Sequence, residues 1–287
     1  LWDEEYPPHL RAIYDPPPLL FVRGTIEPSD ASSVALVGTR APSAYGLQAA
    51  QRFAAGLARL GVAVVSGLAR GIDTAAHAAA LGAGGRTLAV IGSGIDVPYP
   101  PENRGLAARI AACGAVVSEY PMGTKPDAGN FPRRNRIISG ITLGTVVVET
   151  AVDGGAMITA RTALDQNREV FAYPAAVREG TAAGTNRLIR EGKALLVESV
   201  DDVLAEFGSR LGGPAVRSRP AAPEAARPAL TLFEQGVLDA VPGDEPAHIN
   251  ALAGVLQMPV AELLAHLLAL ECKGLVRQLA GKYFLRG

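Results

Sequence analysis

The stretch VALVGTRAPSAYG, residues 34–46, decides how this chain is read. An unbroken apolar run ends in glycine, a short polar loop follows, and a helical pattern begins near Ser43. Strands without polar alternation are covered on both faces, as in a parallel sheet with crossover helices. The signature recurs in VAVVSG (62–67), TLAVIG (87–92), AVVSE (115–119), TVVVET (145–150), EVFAYP (169–174) and ALLVES (194–199). Between these runs, AYGLQAAQRFAAGLARLG, DTAAHAAALGAG and GGAMITARTALDQN carry helical spacing and mostly close near glycine. The predicted class is α/β, an extended parallel sheet with flanking helices.

At 287 residues and 48% hydrophobic content, the chain buries one large core and has room for a small second one. Residues 1–208 form the predicted large domain, and the proline-rich first 30 residues read as an extended lead-in along its surface. Residues 209–228 hold four prolines, four arginines and one glutamate without periodicity, a linker composition. Residues 229–287 read as three helices and a hairpin around Ala280-Gly281, which suggests a winged helix-turn-helix. Cys113 and Cys272 are far apart in apolar helical settings, so both read as reduced residues in or near a core. No apolar run reaches the ~18 residues of a membrane span and no signal peptide opens the chain, so a cytoplasmic protein is expected. The first residue is Leu rather than Met, which fits a trimmed upstream segment.

Net charge is −1, from 27 basic and 28 acidic residues, so bulk charge gives no reason to expect a polyanionic partner. Any anion site is local. In an open parallel sheet, ligands collect outside the carboxyl ends of the strands. The loops there are GTRAPSAYG, SGLARGID, GSGIDVPYPPENR, SEYPMGTKPDAGNFPRRNR and ETAVDGGAMIT, and helix starts at Ser43, Asp73, Phe131 and Gly155 offer N–H donors to phosphates. The first loop is not G-x-G-x-x-G and the second strand ends without an acid for a ribose, which argues against a dinucleotide cofactor. No metal-ligand spacing appears, and neither a metal nor a cofactor is expected. His77 reads as a hydrogen-bonded packing residue, and Glu119 and Glu149 as an acid pair or as loop caps.

The remaining site chemistry is cationic. Arg40 closes the first strand, Arg70 sits in the second loop, and Lys125, Arg133, Arg134 and Arg136 surround Phe131 in the fourth. Arginine forks grip phosphates and an aromatic face stacks any base, a combination suited to single-stranded nucleic acid. The alternative is a solvated loop whose arginines pair with Asp127 and neighbouring acids. On a helix, Arg133 and Arg136 share a face, which assigns Arg134 the structural role.

VGTRAPSAYG, SGLARGIDTAAH, GSGIDVPYPPENRGL, SEYPMGT, NFPRRNRIISG and GGAMITARTALDQNREVFAYP, in this order across residues 15–205, resemble the DprA/Smf family of DNA-processing proteins. The resemblance implies an extended Rossmann domain that binds and protects single-stranded DNA, loads the RecA recombinase onto it during natural transformation, and forms a homodimer. It also implies a non-enzymatic role and DNA contacts at Arg40, Gly67, Arg70, Lys125, Phe131, Arg133, Asn135 and Arg136. Two positions depart from the family pattern: Ala78, often basic, and Ala175, usually glycine. The fold also resembles the LOG phosphoribohydrolases, which makes a nucleotide-binding or nucleotide-cleaving enzyme the alternative. Their PGGxGTxxE motif corresponds here to VDGGAMITA, which lacks the glutamate.

The small C-terminal region carries four basic and six acidic residues. Its expected recognition helix, PVAELLAHLLALE (259–271), has Glu262, Glu271 and His266 but no Arg or Lys, so little DNA affinity is expected of it.

Overall fold

The computed structural model describes residues 1, 3, 5–176, 183–208, 232–242, 246–273, 275–279 and 281–286. The 209–228 linker reading, the Cys272 side chain and Ala280 of the hairpin turn lie outside these residues. The chain divides into two compact units, Leu1–Ser218 and Arg219–Gly287.

The first unit contains strands β1 (Phe21–Gly24), β2 (Ser33–Gly38), β3 (Ala63–Ser66), β4 (Thr87–Val90), β5 (Ala115–Ser118), β6 (Gly144–Glu149), β7 (Glu169–Ala172) and β8 (Leu195–Leu196). Its helices are α1 (Pro8–Arg11), α2 (Ala44–Arg59), α3 (Ile72–Gly82), α4 (Arg104–Cys113), α5 (Asn130–Ile141), α6 (Gly155–Asp165), α7 (Ala183–Arg190) and α8 (Val200–Phe207). The strands form one sheet in the order β1-β5-β4-β3-β2-β6-β7-β8, parallel throughout except for β1.

Alternation within β2 shows why the sheet needs cover on both sides. Val34 and Leu36 pack with α2, α3 and α8, while Ala35 and Val37 pack with α1, α5 and α6. These β2 residues are all buried, so the strand reads as a continuous apolar run.

Three expectations change. The lead-in is not simply extended along the surface: it folds helix α1, buries Tyr6, Leu10 and Ile13 in the core, and its FVRG pairs antiparallel with β5 as an edge strand the sequence did not announce. ALLVES yields only two strand residues, both exposed at the opposite edge, where half the stabilising contacts of an inner strand are missing. Cys113 ends α4 on the surface and is exposed rather than part of a core.

The second unit holds α9 (Leu232–Ala240), β9 (Ala247–His248), α10 (Ile249–Leu256), α11 (Val260–Cys272), β10 (Val276–Leu279) and β11 (Tyr283–Arg286). The last two strands form the expected hairpin, and β9 adds a third strand beside β11. Leu263, Leu267 and Leu270 are the inner stripe of α11 and pack with Val237, Leu252 and Phe284. No helix among the described residues is long and apolar enough to cross a membrane.

Candidate nucleic-acid interface

Successive strands run from β2 toward one edge of the sheet and from β6 toward the other. Their carboxyl ends therefore part, which is where an open α/β sheet makes its ligand crevice. Here it is a cleft of about 470 Å³. Gly38, Thr39 and Arg40 form one wall, Thr150, Ala151, Gly154 and Gly155 the opposite one, and α5 a third.

Helix α5 turns Phe131, Arg134, Asn135 and Ile138 toward the cleft, the i, i+3, i+4, i+7 stripe of one face. Pro132 sits in the first turn, where its missing N–H costs little. Arg134 is 4% exposed. It donates through Nη1 to the Gly67 carbonyl at 2.7 Å and to the Val90 carbonyl. Burial pulls its pKa down to about 10, an effect that Asp73 opposes. The guanidinium therefore stays charged at neutral pH.

Asp73 is equally buried and accepts the Gly67 and Ala69 amides at 3.1 and 3.3 Å. Burial raises its pKa, and Arg134 opposes the shift. Thr87 Oγ1 donates to the Val64 carbonyl, which makes it the acceptor for His77 Nδ1 at 2.7 Å. Burial, helped by Arg134, pushes the His77 pKa down to about 3. His77 is thus a neutral packing residue.

Phe131 is seated by its neighbours. Gly92 lies beneath it, where an added Cβ would meet the ring at 3.1 Å. Tyr99 packs at a ring separation of 5.9 Å. The Arg40 guanidinium stands 5.3 Å from the Phe131 ring centroid, within cation–π range. Arg40 is exposed and meets no carboxylate among the described residues.

The other expected site residues occupy different settings. Gly67 is buried, with its amide on Asp73 and its carbonyl on Arg134, so neither group is open to a ligand. Arg70 is exposed and ion-paired with Glu102. Lys125 and Arg133 are exposed without ion pairs among the described residues. Arg136 shares Arg133's side of the helix, but it pairs with Glu119 and with Asp15, whose carbonyl it also bonds at 2.9 Å. The structure thus brings Arg40, Phe131 and Asn135 to the cleft and leaves Lys125, Arg133 and Arg136 off its lining.

Residues 1–208 match the model of the DNA recombination-mediator protein A family, and residues 220–282 match the DprA winged helix domain. The chain belongs to the DNA recombination-mediator protein A family. It is 41% identical to the Smf protein of Escherichia coli K12 over 98% of this chain and 75% of that protein. The structure of DprA from Streptococcus pneumoniae superposes with a TM-score of 0.68 at 46% identity, over 71% of this chain and 72% of that one. DNA processing protein A from Helicobacter pylori, studied for its single-stranded DNA binding mode, gives 0.65 at 29% identity, covering 71% of this chain and 94% of that one.

Within this family framework, two expectations are corrected. Glu119 and Glu149 are not an acid pair: they lie at the ends of β5 and β6, with β4, β3 and β2 between. Glu119 pairs with Arg136, while Glu149 accepts the Ser43 amide and hydroxyl. The turn at Ala175 needs no glycine, because its φ is not positive, and Asn186 bonds both its amide and its carbonyl, at 3.1 and 2.8 Å. Sequence reasoning also passed over Tyr99, which supports Phe131. Its signal was an aromatic flanked by prolines in VPYPP.

Proposed function

We propose that this protein binds single-stranded DNA along the carboxyl edge of its sheet and thereby mediates recombination. The observation that carries the reading is Arg40 poised over the Phe131 ring at the mouth of the cleft, an exposed cation that meets no carboxylate among the described residues. The guanidinium grips a backbone phosphate and the ring stacks a base without regard to its identity. Arg70, Lys125 and Arg133 extend the positive surface, and Arg70 exchanges Glu102 for a phosphate. The alignment with the Helicobacter pylori protein supports the choice of strand class. The role in natural transformation, RecA loading, homodimerisation, a cytoplasmic location and the absence of catalysis belong to the same proposal, and family membership supports them.

Fluorescence anisotropy with labelled oligo-dT tests it. Arg40→Ala and Phe131→Ala are each expected to weaken binding by ~1–3 kcal/mol, the usual range for a lost stacking or phosphate partner. Unchanged affinity in both variants would remove the site assignment. The nucleotide-cleaving alternative is disfavoured because VDGGAMITA offers no glutamate where that chemistry needs one. Release of free base from a nucleoside monophosphate would restore it.

A further inference from the structure

Among the helices that begin at this sheet edge, α2, α3 and α5 each have a carboxylate of the protein's own beside their start. Glu149 accepts the Ser43 amide and hydroxyl at the start of α2. Asp73 takes the Gly67 and Ala69 amides as α3 begins, and Asp127 takes the Gly129 amide just before α5. Helix α6 differs. Its N-cap is Gly154, which has no side chain to offer, and Asp153 is exposed and accepts no hydrogen bond among the described residues. The amides of Gly155 and Ala156 have no acceptor there, so the positive end of an eleven-residue helix opens into the cleft.

Two side chains, each more than nine-tenths buried, line the same cleft with unused hydrogen-bonding atoms. Asn135, 9% exposed, engages its Oδ1 with Arg134 Nε at 3.3 Å, which leaves Nδ2 as a donor without an acceptor. Thr159, 2% exposed, makes no side-chain hydrogen bond among the described residues. Both groups reach the open cleft, where a ligand that accepts from them can take the place of water. Asp73 also lines the cleft, but its carboxylate is held by two amides and faces the Arg134 charge. Arg40 stands at the entrance.

We propose that this cleft is a phosphate subsite, in which the Gly155 and Ala156 amides, Asn135 Nδ2 and the Thr159 hydroxyl hold the phosphate of one nucleotide. The proposal deepens the single-strand reading and rests on it, because it makes the cleft a station on the path of the strand. A free nucleoside 5′-monophosphate presents the same chemistry, and the volume of about 470 Å³ accommodates either source.

Gly155 supplies the test, since a Cβ added there meets nothing within 4 Å and a new side chain projects into open space. Gly155→Asp adds a negative charge at the subsite, and Gly155→Asn adds the same bulk without charge. Both full-length variants are titrated with oligo-dT and with dTMP, and amide NMR of the unsubstituted protein follows Gly155 and Ala156 as dTMP is added. The expected result is a loss of about tenfold or more for Gly155→Asp and a much smaller loss for Gly155→Asn, as fits a charge-assisted site. A loss with oligo-dT alone assigns the phosphate to the strand, and a loss with dTMP alone assigns it to the free nucleotide. Equal losses in the two variants, or no loss in either with unshifted Gly155 and Ala156 amides, would overturn the proposal. Failure of the single-strand reading shows separately, as oligo-dT binding indifferent to Arg40→Ala and Phe131→Ala.

Discussion

The carboxyl edge of the α/β unit and helix α11 of the C-terminal unit are both surfaces on which such folds meet nucleic acid, and they are made of opposite materials. The edge exposes Arg40, Arg70, Lys125 and Arg133 around a seated aromatic ring. Helix α11 has no Arg or Lys at all, and it exposes Val260, Leu264 and Leu268, four residues apart, with Glu262 beside them. A winged-helix shape is therefore not evidence of DNA reading in this chain, because function lies in the residues a fold presents. The net charge of −1 conceals this division: Arg40, Arg70, Lys125 and Arg133 gather positive charge at the carboxyl edge.

The edge also differs in being supported by a buried charge network, and the largest expected effect comes from removing it. Arg134→Met strands the Gly67 and Val90 carbonyls and leaves Asp73 without its cation. We expect a loss of ~3–5 kcal/mol in denaturant unfolding of the α/β unit, as for a broken buried charge network. A loss under ~1 kcal/mol would mean that the edge is not built around Arg134.

Acid should separate the two regions next. His77 has a folded pKa of about 3, below its unfolded value of about 6.5, so between these values the unfolded chain binds the extra proton. Stability of the α/β unit therefore falls as pH drops through that window, by up to ~1.4 kcal/mol per pH unit from this residue. His9, also lowered by burial, adds to the slope. Asp73, whose pKa is raised, subtracts from it, because its carboxyl takes a proton more readily in the folded state. His77→Gln should flatten the dependence whatever it does to absolute stability, and urea midpoints at pH 7, 6 and 5 measure the change.

A smaller effect sharpens the contrast directly. Deleting residues 219–287, the whole second unit, should change affinity for oligo-dT by less than about tenfold, since α11 brings no cations to the phosphates. A larger loss in a binding titration would return nucleic-acid contact to the C-terminal unit. Smallest of all, Lys125→Ala should reduce the salt slope of binding by about one while leaving strand preference intact. An unchanged slope would remove Lys125 from the interface.

How far the sequence reaches follows from which forces are local. Strands β2 to β7 were legible because burial on both faces leaves continuous apolar runs, whereas β1 follows three prolines with three of its four residues exposed. Arg40 and Phe131 were legible from their position after strand ends, and helical spacing separated Arg134 from its two neighbours. The fate of Arg136 was not, because its partner Asp15 lies 121 residues away. Nor was the separation of Glu119 from Glu149, which depends on the order of strands across the sheet. The open end of α6 was visible only as glycines, because one of the carboxylates beside its neighbours, Glu149, comes from 106 residues away, while Asp73 and Asp127 act on nearby amides.

The most direct measurement is a titration of the full chain with oligo-dT and with duplex of equal length at low and moderate salt. The account expects tighter binding to the single strand at both concentrations, with affinity falling as salt rises. Equal affinity for duplex, or single-strand binding indifferent to salt, would contradict it.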